Sequence, residues 1–252
     1  MSPGSHRPAP PLPRSKGQVR EGLRYALGEP TLRVVLAVMA VFGLLALNFQ
    51  VLLPLVAKKV FDGGAGAYGV LSSTMGVGSL CGSLVAAGRG RASTRLMAGA
   101  CLVAGIALLG AALAPSLAVA LVLWFVVGAA TMTLMATSNT TLQLRSRPDM
   151  RGRVISLYML LVIGTTPIGG PIVGWVAQRA GTRWAIALGA AASLCGAAIA
   201  TYGGRHNRER PPVAAAEPPG GTGTAFDAGQ DDDPAPEARS AEVASSLPAS
   251  GS

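Results

Sequence analysis

Four uncharged polar side chains, Asn48, Gln50, Thr137 and Asn139, lie in stretches of sequence that carry no charge and are mainly apolar. An amide or hydroxyl that faces hydrocarbon is costly, so each must face another helix or a water-filled cavity. Such groups hold a small molecule by hydrogen bonds. We therefore predict a hydrated substrate pathway lined by these four residues. The alternative is that they only form hydrogen bonds between helices, worth about 0.6 kcal/mol each.

The same stretches lack the residues that catalysis requires. They contain no Asp, Glu, Lys, Arg or His, and both histidines, His6 and His206, lie outside them. The cysteines at positions 81, 101 and 195 do lie inside them, where cysteine ordinarily acts as a small hydrophobic residue. An intramembrane protease needs a base or a metal-binding set of side chains. We therefore predict no catalytic residues, no metal and no cofactor, and a protein that is not an enzyme.

The apolar stretches are the dominant feature of the chain. Only 13% of its 252 residues are charged, against about a quarter in soluble domains. A helix needs about 20 apolar residues to cross a membrane, and the gaps between charges are long enough for six such helices. The predicted fold is an all-α integral membrane protein with six transmembrane helices, at Val34–Ala57, Tyr68–Ala87, Leu96–Ala114, Ser116–Leu142, Val154–Ala177 and Trp184–Tyr202.

The distribution of Lys and Arg predicts the orientation of these helices. Fifteen of them flank the six spans on the side of both termini, and four lie on the opposite side. Cytoplasmic loops carry the excess of basic residues, so we predict a multi-pass protein of the cell membrane with both termini in the cytoplasm. The net charge of +9 is explained by these flanking residues, and aromatic residues make up only 5% of the chain. We therefore predict the lipid bilayer, and not nucleic acid, as the partner.

Glycine and proline mark the second and fifth spans. Gly78 and Gly82 form a Gly-x-x-x-Gly pair, and so do Gly170 and Gly174, with Pro171 between them. Such pairs let helix backbones approach closely, so we predict that these five residues serve helix packing and gating. Because the two pairs occupy corresponding places in spans 1–3 and spans 4–6, they also predict an internal repeat of three plus three helices.

The loop between the fourth and fifth spans is the most distinctive segment of the sequence. Arg151 and Arg153 are placed to pair with acidic residues elsewhere and to latch the inner face shut, and Asp149 is placed to cap the following helix. The alternative is that these arginines only keep the loop in the cytoplasm.

Three parts of the chain differ in composition. Residues 1–30 form a cytoplasmic segment whose end is amphipathic, which fits a short helix lying on the membrane surface or a solvated linker helix. Residues 31–204 form the six-helix transmembrane domain. Residues 205–252 are rich in Pro, Gly, Ala and Ser and carry few large apolar residues, so we predict a disordered cytoplasmic tail.

Several segments resemble the major facilitator superfamily. They are Glu21–Tyr25 (EGLRY), Leu53–Leu55, Pro148–Tyr158 (PDMRGRVISLY) and Gly169–Gly174 (GGPIVG). The chain is most similar to the bacterial branch that contains the enterobactin exporter and transmembrane secretion effectors. The resemblance covers about residues 17–204 and corresponds to the C-terminal six helices of a twelve-helix fold. The segment Gly88–Arg95 keeps the glycine and arginines of the superfamily's cytoplasmic loop motif but lacks its Asp, which argues against a charge-relay role.

The resemblance implies transport of a small molecule, as efflux by alternating access. On this hypothesis the chain is a half or truncated transporter and forms one wall of a substrate cavity, together with a missing N-terminal half or a second copy. The alternative is a six-helix membrane scaffold, or a degenerate remnant, that transports nothing. Neither the substrate nor the coupling ion follows from the residues.

Overall fold

The structure is a computed structural model that describes residues 18–89 and 93–206, with side chains described for residues 20–89 and 93–205. The predicted tail lies outside this part of the chain, as does most of the predicted N-terminal segment.

Every regular element in the described residues is helical. There are nine α-helices and one π-helical segment, which follow one another as α1 (Gln18–Gly28), α2 (Pro30–Leu45), α3 (Phe49–Leu55), the π-segment (Val56–Val60), α4 (Ala65–Gly88), α5 (Thr94–Leu113), α6 (Leu117–Arg145), α7 (Arg151–Gly164), α8 (Thr166–Arg179) and α9 (Thr182–His206).

Six of the resulting segments are long and apolar enough to cross a membrane, which confirms the predicted all-α, six-span fold. They are span 1 (Pro30–Val60, comprising α2, α3 and the π-segment), span 2 (α4), span 3 (α5), span 4 (α6), span 5 (Arg151–Arg179, comprising α7 and α8) and span 6 (Thr182–Arg205, within α9).

The contacts between the spans follow the predicted three-plus-three repeat. Span 2 packs on span 4, and span 5 packs on span 1 in the same way. Span 3 packs on span 4 as span 6 packs on span 1, and spans 3 and 6 pack on each other. Spans 2 and 5 are also the least buried, with 17% and 11% of their apolar windows covered. Exchanging spans 1–3 with spans 4–6 therefore reproduces these main contacts, although α8 of span 5 also packs on span 6 and span 2 packs little on span 3.

Span 1 is interrupted in its middle, a feature that the sequence analysis did not predict. Regular α2 ends at Leu45, and α3 begins at Phe49. Between them, the side-chain Nδ2 of Asn48 donates to the carbonyl oxygen of Leu44 at 2.8 Å. In an unbroken helix this carbonyl would accept the backbone N–H of residue 48, so the Asn48 side chain replaces the missing backbone bond.

Span 5 is interrupted as well, and here proline provides the reason. Helix α7 ends at Gly164, and α8 begins at Thr166 with Pro167 in its first turn. Proline has no N–H and its ring clashes with the preceding turn, so it starts a helix readily and does not continue one. The hydroxyl of Thr165 donates to the carbonyl oxygen of Leu161 at 2.6 Å and satisfies an acceptor at the end of α7.

Candidate functional site

The interruptions of spans 1 and 5 lie against each other. A Cβ added to Gly43 of α2 would lie 2.8 Å from the carbonyl oxygen of Leu161 and 3.0 Å from Oγ1 of Thr165. A Cβ added to Gly169 of α8 would collide with the carbonyl oxygen of Leu44. The two backbones therefore meet at the points where both helices are broken, and glycine on each side permits the approach. Transporters commonly build binding sites where interrupted helices meet.

Asn48 is the central polar residue of this contact. Its side chain is 1% exposed, and a Cβ added to Gly169 would lie 2.7 Å from its Nδ2. Its Oδ1 atom is buried and has no hydrogen-bond partner among the described residues. A Cβ added to Gly170 would lie 3.8 Å from this oxygen. Buried amide oxygens are nearly always hydrogen-bonded, so this free acceptor marks a place where a donor belongs.

The surroundings of Asn48 combine an exposed amide and an aromatic pair. Gln50 is exposed on α3, two residues from Asn48. Phe49 packs edge-to-face on Trp124 of α6, with the ring centroids 5.8 Å apart at an angle of 85°. Trp124 is fully buried, and its Nε1 has no acceptor in the described part of the chain. Because no ionisable residue occurs between Arg33 and Lys58, this stretch offers hydrogen-bonding groups and apolar surface but no charge.

The other two predicted pathway residues lie elsewhere. Thr137 is buried on α6, and Asn139 is half-buried and accepts a hydrogen bond from Nε2 of Gln143 on its own helix. Thr137 follows Trp124, the α6 neighbour of Phe49, by thirteen residues, which is about 20 Å along a helix at 1.5 Å per residue. The structure therefore separates the four residues into two pairs at different levels of the bundle.

The hydroxyls near Thr137 form hydrogen bonds within the protein. The Thr133 hydroxyl donates to the carbonyl oxygens of Ala129, at 2.8 Å, and Gly82, at 3.0 Å. The Thr141 hydroxyl donates to the Thr137 carbonyl at 2.7 Å. These bonds fit the alternative in which the polar side chains only form hydrogen bonds within the protein. A threonine in a helix readily donates to a carbonyl of the preceding turn.

Gly78 and Gly82 lie where α4 crosses α6. A side chain at Gly78 would collide with the Phe125 carbonyl oxygen, and one at Gly82 with that of Ala129. From the other side, a side chain at Gly128 would collide with the Met75 carbonyl. Both backbones are in direct contact, which is the arrangement that small residues permit in membranes. Sequence analysis did not single out Gly128, since its spacing forms no Gly-x-x-x-Gly pair.

The glycine pair of span 5 is placed differently from the expectation. No atom lies within 4 Å of a Cβ added to Gly174, and Gly170 has only ordinary contacts there. The close approach is at the preceding residue, Gly169, which faces Leu44. Pro171 lies exposed within α8. The backbone contact of this helix therefore involves the face of Gly169 and leaves Gly174 open.

The first turn of α7, next to the loop between spans 4 and 5, carries a short ion pair to α1. Arg153 Nη1 lies 2.7 Å from Glu21 Oε2 of α1. Asp149 does not cap α7: Met150 holds the cap position without a side-chain hydrogen bond, and Asp149 instead pairs with Arg147 of its own loop at 3.6 Å. Arg151 is exposed and has no ion pair within the described ranges.

Helix α1 is docked on this loop by three contacts. Besides the Glu21 pair, a Cβ added to Gly22 would lie 3.0 Å from the Cβ of Arg153, and Tyr25 Oη accepts the backbone N–H of Arg147 at 3.1 Å. Neither the membrane-surface nor the solvated-linker interpretation included this docking. The docking joins two of the motifs on which the sequence resemblance was based, EGLRY and PDMRGRVISLY. In the sequence, only the arginines of the loop indicated a contact of this kind.

Replacing Glu21 with Gln should loosen α1 while the spans stay folded. A partly exposed ion pair contributes about 0.2–1 kcal/mol, so we expect amide hydrogen exchange in α1 to accelerate by up to roughly fivefold. Exchange mass spectrometry of peptides within Gln18–Gly28 measures this. Glu29→Gln is the matched control, because Glu29 has no ion pair in the described part of the chain. Equal exchange in both variants would show that the Glu21–Arg153 pair does not hold α1.

Comparison with known proteins supplies a family. Residues 6–210 match the family described as "Transmembrane secretion effector", a match that covers most of the chain. No curated protein and no solved structure matched it.

Proposed function

The chain belongs to the transmembrane secretion effector family of the major facilitator superfamily, and we propose that it exports a small molecule by alternating access. Membership and the six apolar spans make it a multi-pass membrane protein with a transport function. This favours the transporter over the non-transporting scaffold. The direction of transport and the narrower likeness to the enterobactin exporter stay predictions.

One observation carries the proposal. The two interrupted spans meet at Asn48, whose buried Oδ1 has no partner among the described residues and lies beside the glycine face of α8. A transported molecule with a hydroxyl or N–H group would supply the missing donor. We therefore place the substrate contact at Asn48 and Gln50, and we assign Thr137 and Asn139 to a second position, about 20 Å along α6, on the same pathway.

The proposed mechanism requires a second six-helix unit. Spans 2 and 5 are poorly covered, with apolar side chains such as Leu84 and Ile163 exposed at 72% and 67%. A second unit facing these spans would enclose the path that one unit leaves open. We propose either an N-terminal half in a longer polypeptide or a second copy of this chain, in the cell membrane with the basic loops in the cytoplasm. An immunoblot of native membranes distinguishes them: a band near 25.4 kDa supports the second copy, and one near twice that mass supports the longer polypeptide.

Replacing Asn48 with Leu should reduce export while the protein still folds. The variant loses the hydrogen bond to Leu44 and also removes the unpartnered oxygen, so stability should change by less than about 1 kcal/mol. Export should fall by roughly fivefold, the equivalent of one lost hydrogen bond to substrate of about 1 kcal/mol. Mass spectrometry of the medium and of cell extracts compares cells that express the wild type, the variant or no protein. Thr201→Leu is the control, because Thr201 is exposed on α9 of span 6, away from spans 2 and 5, and its hydroxyl bonds only within its own helix.

The same experiment tests the function itself. Export requires at least one compound that is richer in the medium and poorer in the cells when the wild type is expressed. If no compound redistributes in the wild type, export fails as a function. If compounds redistribute equally with Asn48→Leu, the transporter stands and the substrate contact is elsewhere.

Alternating access has a separate test at Gln50. In a chain whose cysteines are replaced by serine, Gln50→Cys should react with membrane-impermeant maleimide from either side of sealed vesicles, because the path opens to each side in turn. Reaction from one side only would contradict alternating access.

A further inference from the structure

A groove of about 810 Å³ lies between α4 and α5, on the surface of α6. It exists because α4 and α5 follow each other in the chain and both pack on α6, yet they pack little on each other. The substrate contact described above is not part of it. Its walls are lined by Val85 of α4, Val103 of α5 and Phe125 of α6, among others.

The groove is apolar along its length and basic at one end. The hydroxyl of Thr133, which borders it, is already bonded to two backbone carbonyls, so the wall offers no free group there. Arg89 and Arg95 stand at the ends of α4 and α5 with Ser93 between them. Neither arginine has an ion pair among the described residues. Two unpaired cations therefore border an apolar slot.

We propose that this groove binds an anionic phospholipid, with the phosphate between Arg89 and Arg95 and an acyl chain along α6. Basic pockets between membrane helices bind anionic headgroups in this way. From Arg95 to Val103 the groove runs about 12 Å, close to one leaflet of a hydrocarbon core about 30 Å thick. Val85 and Val103 are both 46% exposed, so the slot opens toward the region that lipid occupies.

The length and the chemistry together favour a lipid over a soluble ligand. A free phosphate would use the arginines and leave the apolar slot empty, whereas a zwitterionic phospholipid would fill the slot but bring its own cation beside the two arginines. An anionic phospholipid satisfies both features at once. Its site is independent of the export proposed above, because binding is measured without transport.

The test uses the full-length chain, delipidated in detergent, with phosphatidylglycerol or phosphatidylcholine added and bound lipid counted by native mass spectrometry. We expect the wild type to retain phosphatidylglycerol preferentially. Changing both Arg89 and Arg95 to Gln should weaken its binding by roughly twenty-five-fold, since each basic residue near the headgroup contributes about fivefold. Arg151→Gln is the matched control, because Arg151 is also exposed and without an ion pair in the described residues.

A second variant tests the slot without changing any charge. Gly99 lines the groove and is exposed, and a Cβ added to it has no atom within 4 Å, so the side chain of Gly99→Leu starts in open space and takes up room in the slot. We expect it to lose phosphatidylglycerol while it unfolds like the wild type in lipid-free detergent. Equal binding of both lipids, or unchanged phosphatidylglycerol binding in either variant, would overturn the proposal. So would inorganic phosphate that binds as tightly as phosphatidylglycerol, since the slot would then contribute nothing to the affinity.

Discussion

Replacing Gly82 with Leu should destabilise the protein by about 3 kcal/mol or more. At the α4–α6 crossing, a side chain at Gly82 would collide with the carbonyl oxygen of Ala129, which is backbone and cannot turn aside. The helices would have to separate, and the bond from the Thr133 hydroxyl to the Gly82 carbonyl would break. Equilibrium unfolding in mixed micelles of SDS and a mild detergent measures the change.

Gly76→Leu on the same helix is the control for this experiment. A Cβ added to Gly76 has no atom within 4 Å, so the larger side chain fits without a clash. We expect this variant to unfold at the same or a slightly higher SDS fraction than the wild type, since Leu has the higher helix propensity. If both variants unfold alike, the two helices do not cross as closely as described.

Gly169→Leu should abolish most of the export, and Gly174→Leu should preserve it. The first side chain would collide with the Leu44 carbonyl oxygen and press on Asn48, whereas a Cβ at Gly174 has no atom within 4 Å. Overpacking costs about 1–3 kcal/mol. Because the cost falls on the state in which the two interrupted spans are packed, the population of that state should fall by roughly five- to a hundredfold.

The redistribution of compounds between medium and cells measures this effect, with the protein level in the membrane checked by immunoblot. The two variants change glycine to the same residue in the same helix, so the difference between them reports the contact at Leu44. Equal export would mean that α8 leaves α2 during transport or that the contact has no part in it.

The spans could be predicted from the sequence because charge is excluded from hydrocarbon, and the gaps between charged residues mark them directly. The interruption of span 5 has a signal in the sequence, Pro167, because the effect of proline on a helix is local. The interruption of span 1 has no such signal. It depends on the Asn48 side chain bonding to Leu44, and asparagine in an apolar stretch is equally compatible with a bond to another helix.

The packing partners were harder to predict than the packing residues. A Gly-x-x-x-Gly pair shows that a helix can be approached closely, but it does not identify the helix that approaches. Gly78 and Gly82 therefore did not point to Gly128 of α6. In span 5, Gly169 and Gly170 lie on adjacent faces of α8, and either face could allow a close helix contact. Gly169 makes the contact because α2 lies on its side.

The candidate site was predicted in its residue types but not in its arrangement. Asn48 and Asn139 have the same chemistry, but the predicted bounds place Asn48 fourteen residues, and Asn139 only three, from the cytoplasmic end of its span, so their grouping at one level ignored a signal that the sequence carries. Likewise, Arg151 and Arg153 were predicted to form a latch, but the acidic residue that pairs with Arg153 was not identified. Glu21 lies more than a hundred residues before Arg153, and only the docking of α1 brings the two together.

The packing of α4 on α6 has a consequence for how the protein is made. Span 3 is synthesised between these two helices, so α4 enters the membrane before its main partner exists. At about 5–20 residues per second, a ribosome needs roughly 3 to 11 s to add residues 89–145. During that interval the glycine face of α4 has no helix to cover it, and biogenesis must keep it from pairing with the wrong neighbour.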